Sequence, residues 1–309
     1  MPDKLKSVSE YAPVVLFVFK RADSARRLIG SLLENKEASS TDLFIFSDGP
    51  RNENEVGNIA KVREYIYSIE GFKSVNIKCA PVNKGLANSV ISGVTSVLET
   101  YGKVIVVEDD LLVSSNFLQF MNQSLEYYKN NEKILSIAGF TYPIKRRTCD
   151  DIYFTGRAGS TGWATWSNRW LDIDWDIKDF NLFKNSKADQ RKFNRMGSDM
   201  SGMLNKQMQG KINSWAIRWC YYQFKNDLLT VYPTISKVNI FGLDEFATHT
   251  NLKWNRYDTA LDESGKIQFN FTNNVELDPF YVNQFVDRYS ISKRTKYKIM
   301  NYITSAGFL

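Results

Sequence analysis

Histidine occurs once in 309 residues, as His249. That scarcity excludes any site needing two imidazoles, and with it the His-rich zinc hydrolase patterns. Cysteine is nearly as rare. Cys79, Cys149 and Cys220 are odd in number, far apart and without CxxC spacing. They argue against a disulfide framework or a zinc ribbon, offer no Cys/His nucleophilic pair, and suit a reducing cytoplasm. Long apolar runs are missing as well: the longest, Val14 to Phe19, is far below the roughly 20 residues that span a bilayer. The opening Met1-Pro2-Asp3-Lys4 has no apolar core of a secretory signal, so the chain is expected to stay in the cytoplasm. No GxxxxGK[ST] occurs and no GxGxxG follows the first apolar run, so the common NTPase and dinucleotide readings lack their fingerprints. Internal repeats and low-complexity tracts are absent too.

What remains is ordinary globular composition, 43% apolar and 24% charged, in a chain long enough for one large domain or two modest ones. Forty Lys and Arg against 34 Asp and Glu leave a net charge of +6, which suits a polyanionic partner: nucleic acid, anionic lipid or a nucleotide diphosphate. No basic stretch with interleaved aromatics occurs before the C-terminal tail, so a nucleic-acid partner is not expected.

The first 140 residues alternate between strand and helix patterns. Pro13 to Phe19 reads as a strand buried on both faces, and Leu43 to Phe46, Val75 to Cys79 and Val104 to Val107 as three more. Between them, Leu28, Ile29, Leu32 and Leu33 fall at helical spacing behind a possible Asp23 or Ser24 cap. A helix is expected around 55–69. Leu86, Val90, Val94, Val97 and Leu98 share one helical face, and Asn116 is placed to cap a helix carrying Phe117, Phe120, Met121 and Leu125. The succession predicts an α/β fold, a mainly parallel Rossmann-like sheet with helices on both faces. Ligands of such sheets bind at the carboxyl ends of the strands.

Glu108-Asp109-Asp110 stands at one such end. Three adjacent acids beside an apolar strand repel one another and are costly unless a cation holds them. Mg²⁺ or Mn²⁺ takes one or two carboxylates plus substrate phosphates, and this cluster supplies the protein half; a solvated acidic turn is the plainer alternative. Asn83-Lys84-Gly85 enters a helix whose N-terminus suits a nucleotide, or is a plain helix start.

Taken in order, Phe19-Lys20-Arg21, Ser47-Asp48-Gly49, Asn83-Lys84-Gly85-Leu86-Ala87 and Glu108-Asp109-Asp110-Leu111 resemble the nucleotide-sugar glycosyltransferases of the GT-A fold. Within them the acidic motif is most similar to the N-acetylglucosaminyltransferase I type. Gly162-Trp163, Trp170 and Ser214-Trp215-Ala216-Ile217-Arg218-Trp219 resemble bacterial glycan-assembly members. The resemblance covers roughly 13–250. It implies a nucleotide-sugar half over 1–140 and an acceptor-side half of the same domain over 141–285, and the charge of the last residues marks a basic tail over 286–309. It implies a Mn²⁺- or Mg²⁺-dependent hexosyl- or N-acetylhexosaminyltransferase, moving sugar from a UDP-sugar to a glycan or lipid-linked glycan acceptor in surface-polysaccharide assembly.

For matching positions the resemblance implies that Asp110 ligates the metal while Asp109 and Glu108 orient donor or metal-bound water. Asp48 would meet the uracil edge and Arg21 the nucleotide. Asn83, Lys84 and Gly85 would approach the donor, with Lys84 or Arg218 adding positive charge. His249 is placed where several GT-A members have a further metal or diphosphate ligand; a structural histidine is the alternative. Inverting members carry a carboxylate general base where this chain has Asn213, and an amide cannot take that proton. Asp244 and Glu245 are the replacement candidates. A retaining mechanism or a shifted alignment would also answer the departure. Two other readings stand beside the transferase: a nucleotidyltransferase releasing pyrophosphate, and a non-catalytic nucleotide-sugar-binding protein that lost its base.

In the second half, Trp163, Trp166 and Trp170 lie at i, i+3 and i+7, and Trp215 and Trp219 at i, i+4. This spacing predicts helix faces in the core, or platforms for a sugar ring. Met196 to Ser214 reads as a lid loosened by Gly197, Gly202 and Gly210, or as a connector. Arg288 to Lys298 carries five basic residues and no acid, with Ile299, Met300 and Ile303 following. That suits peripheral contact with the inner face of a membrane, or a solvated helix.

Overall fold

The computed structural model describes residues 11–241 and 257–305. Five consecutive apolar residues form β1 (Val14–Val18), and all five are buried. Alternation divides them between two cores: Val14, Leu16 and Val18 pack on one face of the sheet, Val15 and Phe17 on the other. A strand this apolar must be covered on both sides, and the helices after each strand provide the cover.

The chain continues through α1 (Ala22–Leu33), β2 (Asp42–Ser47), α2 (Glu53–Tyr67), β3 (Ser74–Cys79), α3 (Leu86–Tyr101) and β4 (Lys103–Glu108). Then come β5 (Leu111–Val113), α4 (Phe117–Tyr128), β6 (Ile134–Ala138), β7 (Ile152–Thr155), β8 (Trp163–Trp166), α5 (Ser167–Trp170), α6 (Phe180–Asn185), α7 (Lys187–Phe193), α8 (Met200–Met208) and α9 (Trp215–Lys225). β9 (Leu229–Pro233), β10 (Val238–Ile240), α10 (Pro279–Asp287) and α11 (Ile291–Ser305) complete the described elements. One eight-stranded sheet runs β3-β2-β1-β4-β8-β6-β9-β7, and β10 pairs with β5 in a small ribbon. The first four strands are parallel, as expected. β8 then enters antiparallel between β4 and β6, β9 lies parallel to β6, and β7 closes the edge antiparallel. The α/β class and the helices on both faces are as the sequence predicts.

Several local expectations are corrected. α1 starts at Ala22 with no side-chain cap, so Asp23 falls inside its first turn. Asn116 precedes α4 without capping it: its side-chain Oδ1 accepts from Ser114 Oγ, and its side-chain Nδ2 donates to Asp262 and to the Lys266 carbonyl. Leu86 is not on the buried face of α3 but 51% exposed at the helix start. Trp163 and Trp166 lie on a strand, on opposite faces of the sheet, and not on a helix. The core reading of the tryptophans holds all the same. Trp163 packs against Trp219, Trp215 and Trp170 at centroid distances of 4.5, 5.1 and 5.2 Å. The Met196–Ser214 segment is neither a loose lid nor a bare connector, because α8 within it buries Met200 and Leu204 in the same core.

Candidate functional site

The strand order places a break in direction between β1 and β4. From β1 the chain steps outward to β2 and β3, then returns to lay β4 on the other side of β1. At such a point the connections leave β1 and β4 in opposite directions, so a crevice opens beyond their carboxyl ends. Arg21 follows β1 by three residues, and Glu108, Asp109 and Asp110 end and follow β4.

Asp109 fastens the two strand ends together. Its backbone N–H donates to the Phe17 carbonyl, prolonging the parallel ladder by one step. One carboxylate oxygen accepts from the Phe19 backbone N–H at 3.2 Å and the other from Arg21 Nη2 at 2.8 Å. Arg21 also stands 3.5 Å from Asp110 Oδ2. Burial alone would lower the Arg21 pKa, but the two carboxylates hold it above its ordinary value. The acids go the other way. Burial raises the Asp109 carboxyl despite Arg21. Burial, with Asp110 and Asp109 adding repulsion, pushes Glu108 up to about 8. One guanidinium among three carboxylates leaves the end of β4 short of positive charge.

The end of β2 is built around Asp48. Its Oδ1 accepts the backbone N–H groups of Gly49 and Lys84, each at 2.8 Å. Its Oδ2 accepts the Gly85 backbone N–H and the Asn83 side-chain amide, each at 3.0 Å. A carboxylate has about four acceptor positions, so Asp48 is fully used in folding the 83–85 loop back onto β2. The uracil contact implied for it would compete with those bonds. From α2, Arg63 donates to the carbonyls of Ala80 at 2.6 Å and Asp48 at 3.3 Å, holding both loops to the sheet edge. Gly49 is required here, since a Cβ at that position would come within 2.4 Å of the Val82 backbone. Gly85, just before α3, has φ 76°, a positive value that favours glycine.

These loops enclose a cleft of about 330 Å³. The structure brings Arg21, Asp48, Asn83, Gly85, Glu108, Asp109 and Asp110 together in its lining. Phe17 and Phe46, stacked at 5.4 Å, lie among them, and the first turn of α3 faces the cleft with Leu86 and Ser89. Helix N-termini carry N–H groups without intrahelical partners and favour anions. Lys84 is exposed and outside this lining; its backbone, not its ammonium, is what Asp48 holds. Arg51 lines the cleft and escapes sequence reading. It pairs with Glu55 and lies 5.1 Å from the Phe19 ring, an arrangement that only the fold reveals.

Beyond the carboxylates the cleft continues. A second cavity of about 310 Å³ is lined by Leu86, Glu108 and Asp110 together with Ser160, Thr161, Asn213 and Trp215. Asn213 therefore shares a cavity with Glu108 and Asp110, and its Oδ1 lies 3.5 Å from Arg218 Nη2. Arg218 itself donates to the Ser214 and Trp175 carbonyls at 3.2 and 3.1 Å, so it braces α9. A third cavity of about 280 Å³ shares Ser160, Thr161, Ser214 and Ala216 with the second. It ends among Tyr142, Tyr232, Tyr257 and Tyr289, beside the paired Arg157 and Asp199. Ser160 and Thr161 belong to the Gly/Ser/Thr-rich stretch, whose composition marks a loop without disclosing what it faces. Asp244, Glu245 and His249 lie outside the described residues.

The carboxylates fit one kind of cation. Among the described residues, no three acidic, thiol or imidazole groups converge as a metal cage. Glu108 and Asp110 both line the first and second cavities. Mg²⁺ or Mn²⁺ shared with substrate phosphates needs only one or two protein carboxylates. The donor set suits an ion that arrives with a diphosphate.

No family model matches the chain, and no curated protein matches it in sequence. Solved structures similar to it include GalNAc-T7 with UDP, GalNAc and Mn²⁺, at 12% identity and a TM-score of 0.48, covering 75% of this chain and 44% of that one. A mannosyltransferase from Pyrobaculum calidifontis, PcManGT, in complex with GDP-Man and Mn²⁺, is similar at 11% identity and a TM-score of 0.34, covering 54% and 48%. S. aureus TarS is similar at 9% and 0.35, covering 53% and 30%. The chain spans less than half the length of each.

Proposed function

We propose that the chain is a metal-dependent glycosyltransferase of GT-A fold, taking a UDP-sugar in the first cleft and a glycan hydroxyl from the second and third cavities. The observation carrying this reading is the meeting of Glu108, Asp109 and Asp110 with Arg21 at the break between β1 and β4, on the boundary of two connected cavities. In this reading the base enters beside Phe17, Phe46 and the 83–85 loop, which Asp48 and Asn83 shape. The diphosphate faces Arg21 and the first turn of α3. Asp110, with Glu108, would hold Mn²⁺ or Mg²⁺, whose chemistry is to neutralise the charge that develops as the nucleoside diphosphate leaves. Asp109 acts through Arg21, fixing the guanidinium where that charge appears. The acceptor hydroxyl approaches past Ser160, Thr161 and Asn213. Asn213 cannot take its proton, so Asp244 or Glu245 is proposed for that step, and His249 as a further ligand of the metal or diphosphate. The proposed acceptor is a growing glycan of surface-polysaccharide assembly, handled on the cytoplasmic side.

The test is calorimetric titration of UDP with Mn²⁺ and then with EDTA, on wild type and Asp110→Ala. Metal-dependent UDP binding, lost in the variant, is expected. A folded wild type that binds no nucleotide would overturn the reading. Asn213, an amide in the cavity that Glu108 and Asp110 also line, favours one alternative, a nucleotide-sugar-binding protein without transferase activity. That alternative predicts UDP-sugar binding with no UDP released under any acceptor, and pyrophosphate release from a nucleoside triphosphate would instead mark a nucleotidyltransferase.

A further inference from the structure

α11 carries Lys293, Arg294, Lys296 and Lys298 and no acidic residue. Two of the four are engaged by neighbouring side chains: Lys293 lies 3.6 Å from Asp287, and Arg294 donates to Ser198 Oγ at 3.2 Å. Residues at i, i+4, i+8 and i+11 of a helix share a face, and here these are Ile291, Thr295, Ile299 and Tyr302. All four are exposed, with Ile291 at 70%, Ile299 at 52% and Tyr302 at 74%. Lys298 and Lys296, also exposed, fall on the two edges of that stripe. On the opposite side Lys293, Arg294, Tyr297 and Met300 are each half-exposed. The usual surface helix hides its isoleucines and offers its cations to water. α11 ties two of its cations to neighbouring side chains and leaves its isoleucines exposed.

We propose that this face of α11 docks on an anionic lipid bilayer, the helix lying flat in the headgroup region. The stripe of Ile291, Ile299 and Tyr302 supplies the apolar contact. Lys296 and Lys298 flank it, so their alkyl stems extend along the stripe while their ammonium groups reach the phosphates. A polyanion without hydrocarbon, such as nucleic acid, would use the lysines and leave the isoleucines in water. The placement adds a consequence. Tyr289, a wall of the third cavity, precedes α11 by two residues, so docking sets the aromatic end of that cavity beside the membrane. The docking itself does not depend on the donor chemistry proposed above. No described helix is long and apolar enough to cross a membrane, so the contact is with a surface.

Flotation of the full chain, without nucleotide, with phosphatidylcholine vesicles containing or lacking about one third phosphatidylglycerol tests this. The wild type is expected to float with the anionic vesicles and to stay largely behind with the neutral ones. Each lysine at an anionic surface is worth about fivefold, so K296Q/K298Q should reduce partitioning about 25-fold. I291S/I299S keeps every charge and should lose partitioning at least about tenfold. All four side chains are exposed, and thermal melts by circular dichroism check that the variants fold. Equal partitioning of I291S/I299S and wild type would overturn the proposal, as would failure of the folded wild type to float or retention on DNA alone.

Discussion

Asp262 shows how much one side chain can hold in place. It is 4% exposed and pairs with the ammonium of Lys237, itself 3% exposed. It also accepts from Asn116 at 3.1 Å and from the Ser264 backbone N–H at 2.8 Å. Burial alone would raise the Asp262 carboxyl, but Lys237 and Ser264 hold it down at about 2, while burial lowers Lys237. A depressed carboxyl contributes stability above its unfolded pKa of about 3.9, and that contribution is lost as pH falls toward the folded value. Between pH 5 and pH 2 the wild type should therefore lose about 2 kcal/mol more than Asp262→Asn, whose amide does not titrate. Denaturant melts of both at a series of pH values measure the difference, and parallel curves would refute it. None of this pairing is legible in the sequence, where Lys237 and Asp262 are two unremarked charges 25 residues apart. Asp48 and Asp109 are the opposite case. Their positions after β2 and β4 follow from the strand pattern, but apart from the Gly49 N–H the N–H groups that occupy them come from 35 to 90 residues away in the chain.

At the scale of elements, the tryptophan cluster separates what pattern discloses from what it conceals. Apolar spacing identifies Trp163, Trp170, Trp215 and Trp219 as core, yet misplaces Trp163 and Trp166 on a helix. Four consecutive residues that are buried on both faces of a strand have no alternation to betray it. The indole N–H groups then set two members of the cluster apart. Trp170 Nε1 donates to Thr95 Oγ1 of α3 at 3.0 Å, whereas Trp219 Nε1 is buried among the described residues with no acceptor. Replacing either by Phe removes similar volume, but Trp170→Phe breaks a bond between α5 and α3 and Trp219→Phe removes an unsatisfied donor. Urea unfolding should find Trp170→Phe less stable than Trp219→Phe by about 1–2 kcal/mol. Equal losses would mean that packing alone decides.

Across the whole molecule, the parallel half was readable because each strand there is a short apolar run followed by a helix with one apolar face. The mixed half was not. β8 pairs with β4 across more than fifty residues and inserts between β4 and β6, an order that no local signal records. That insertion brings Ser160 and Thr161, just before β8, into one cavity with Glu108 and Asp110, so that three cavities sharing lining residues lie in succession. Ala216, in the first turn of α9, lines both the second and third cavities, and no residue of the first cleft is near it in sequence. On the glycosyltransferase reading proposed above, Ala216→Trp should fill the passage between the tyrosines and the carboxylates while leaving the first cleft open. UDP affinity should then stay within about twofold of wild type, while transfer to a glycan falls at least about a hundredfold through loss of acceptor positioning. Hydrolysis of the UDP-sugar by water, which needs no such passage, should persist. Calorimetry and separate assays of transfer and hydrolysis on the same preparation distinguish these effects. Undiminished transfer would mean that the acceptor reaches the acidic cluster by another route than the aromatic end of the third cavity.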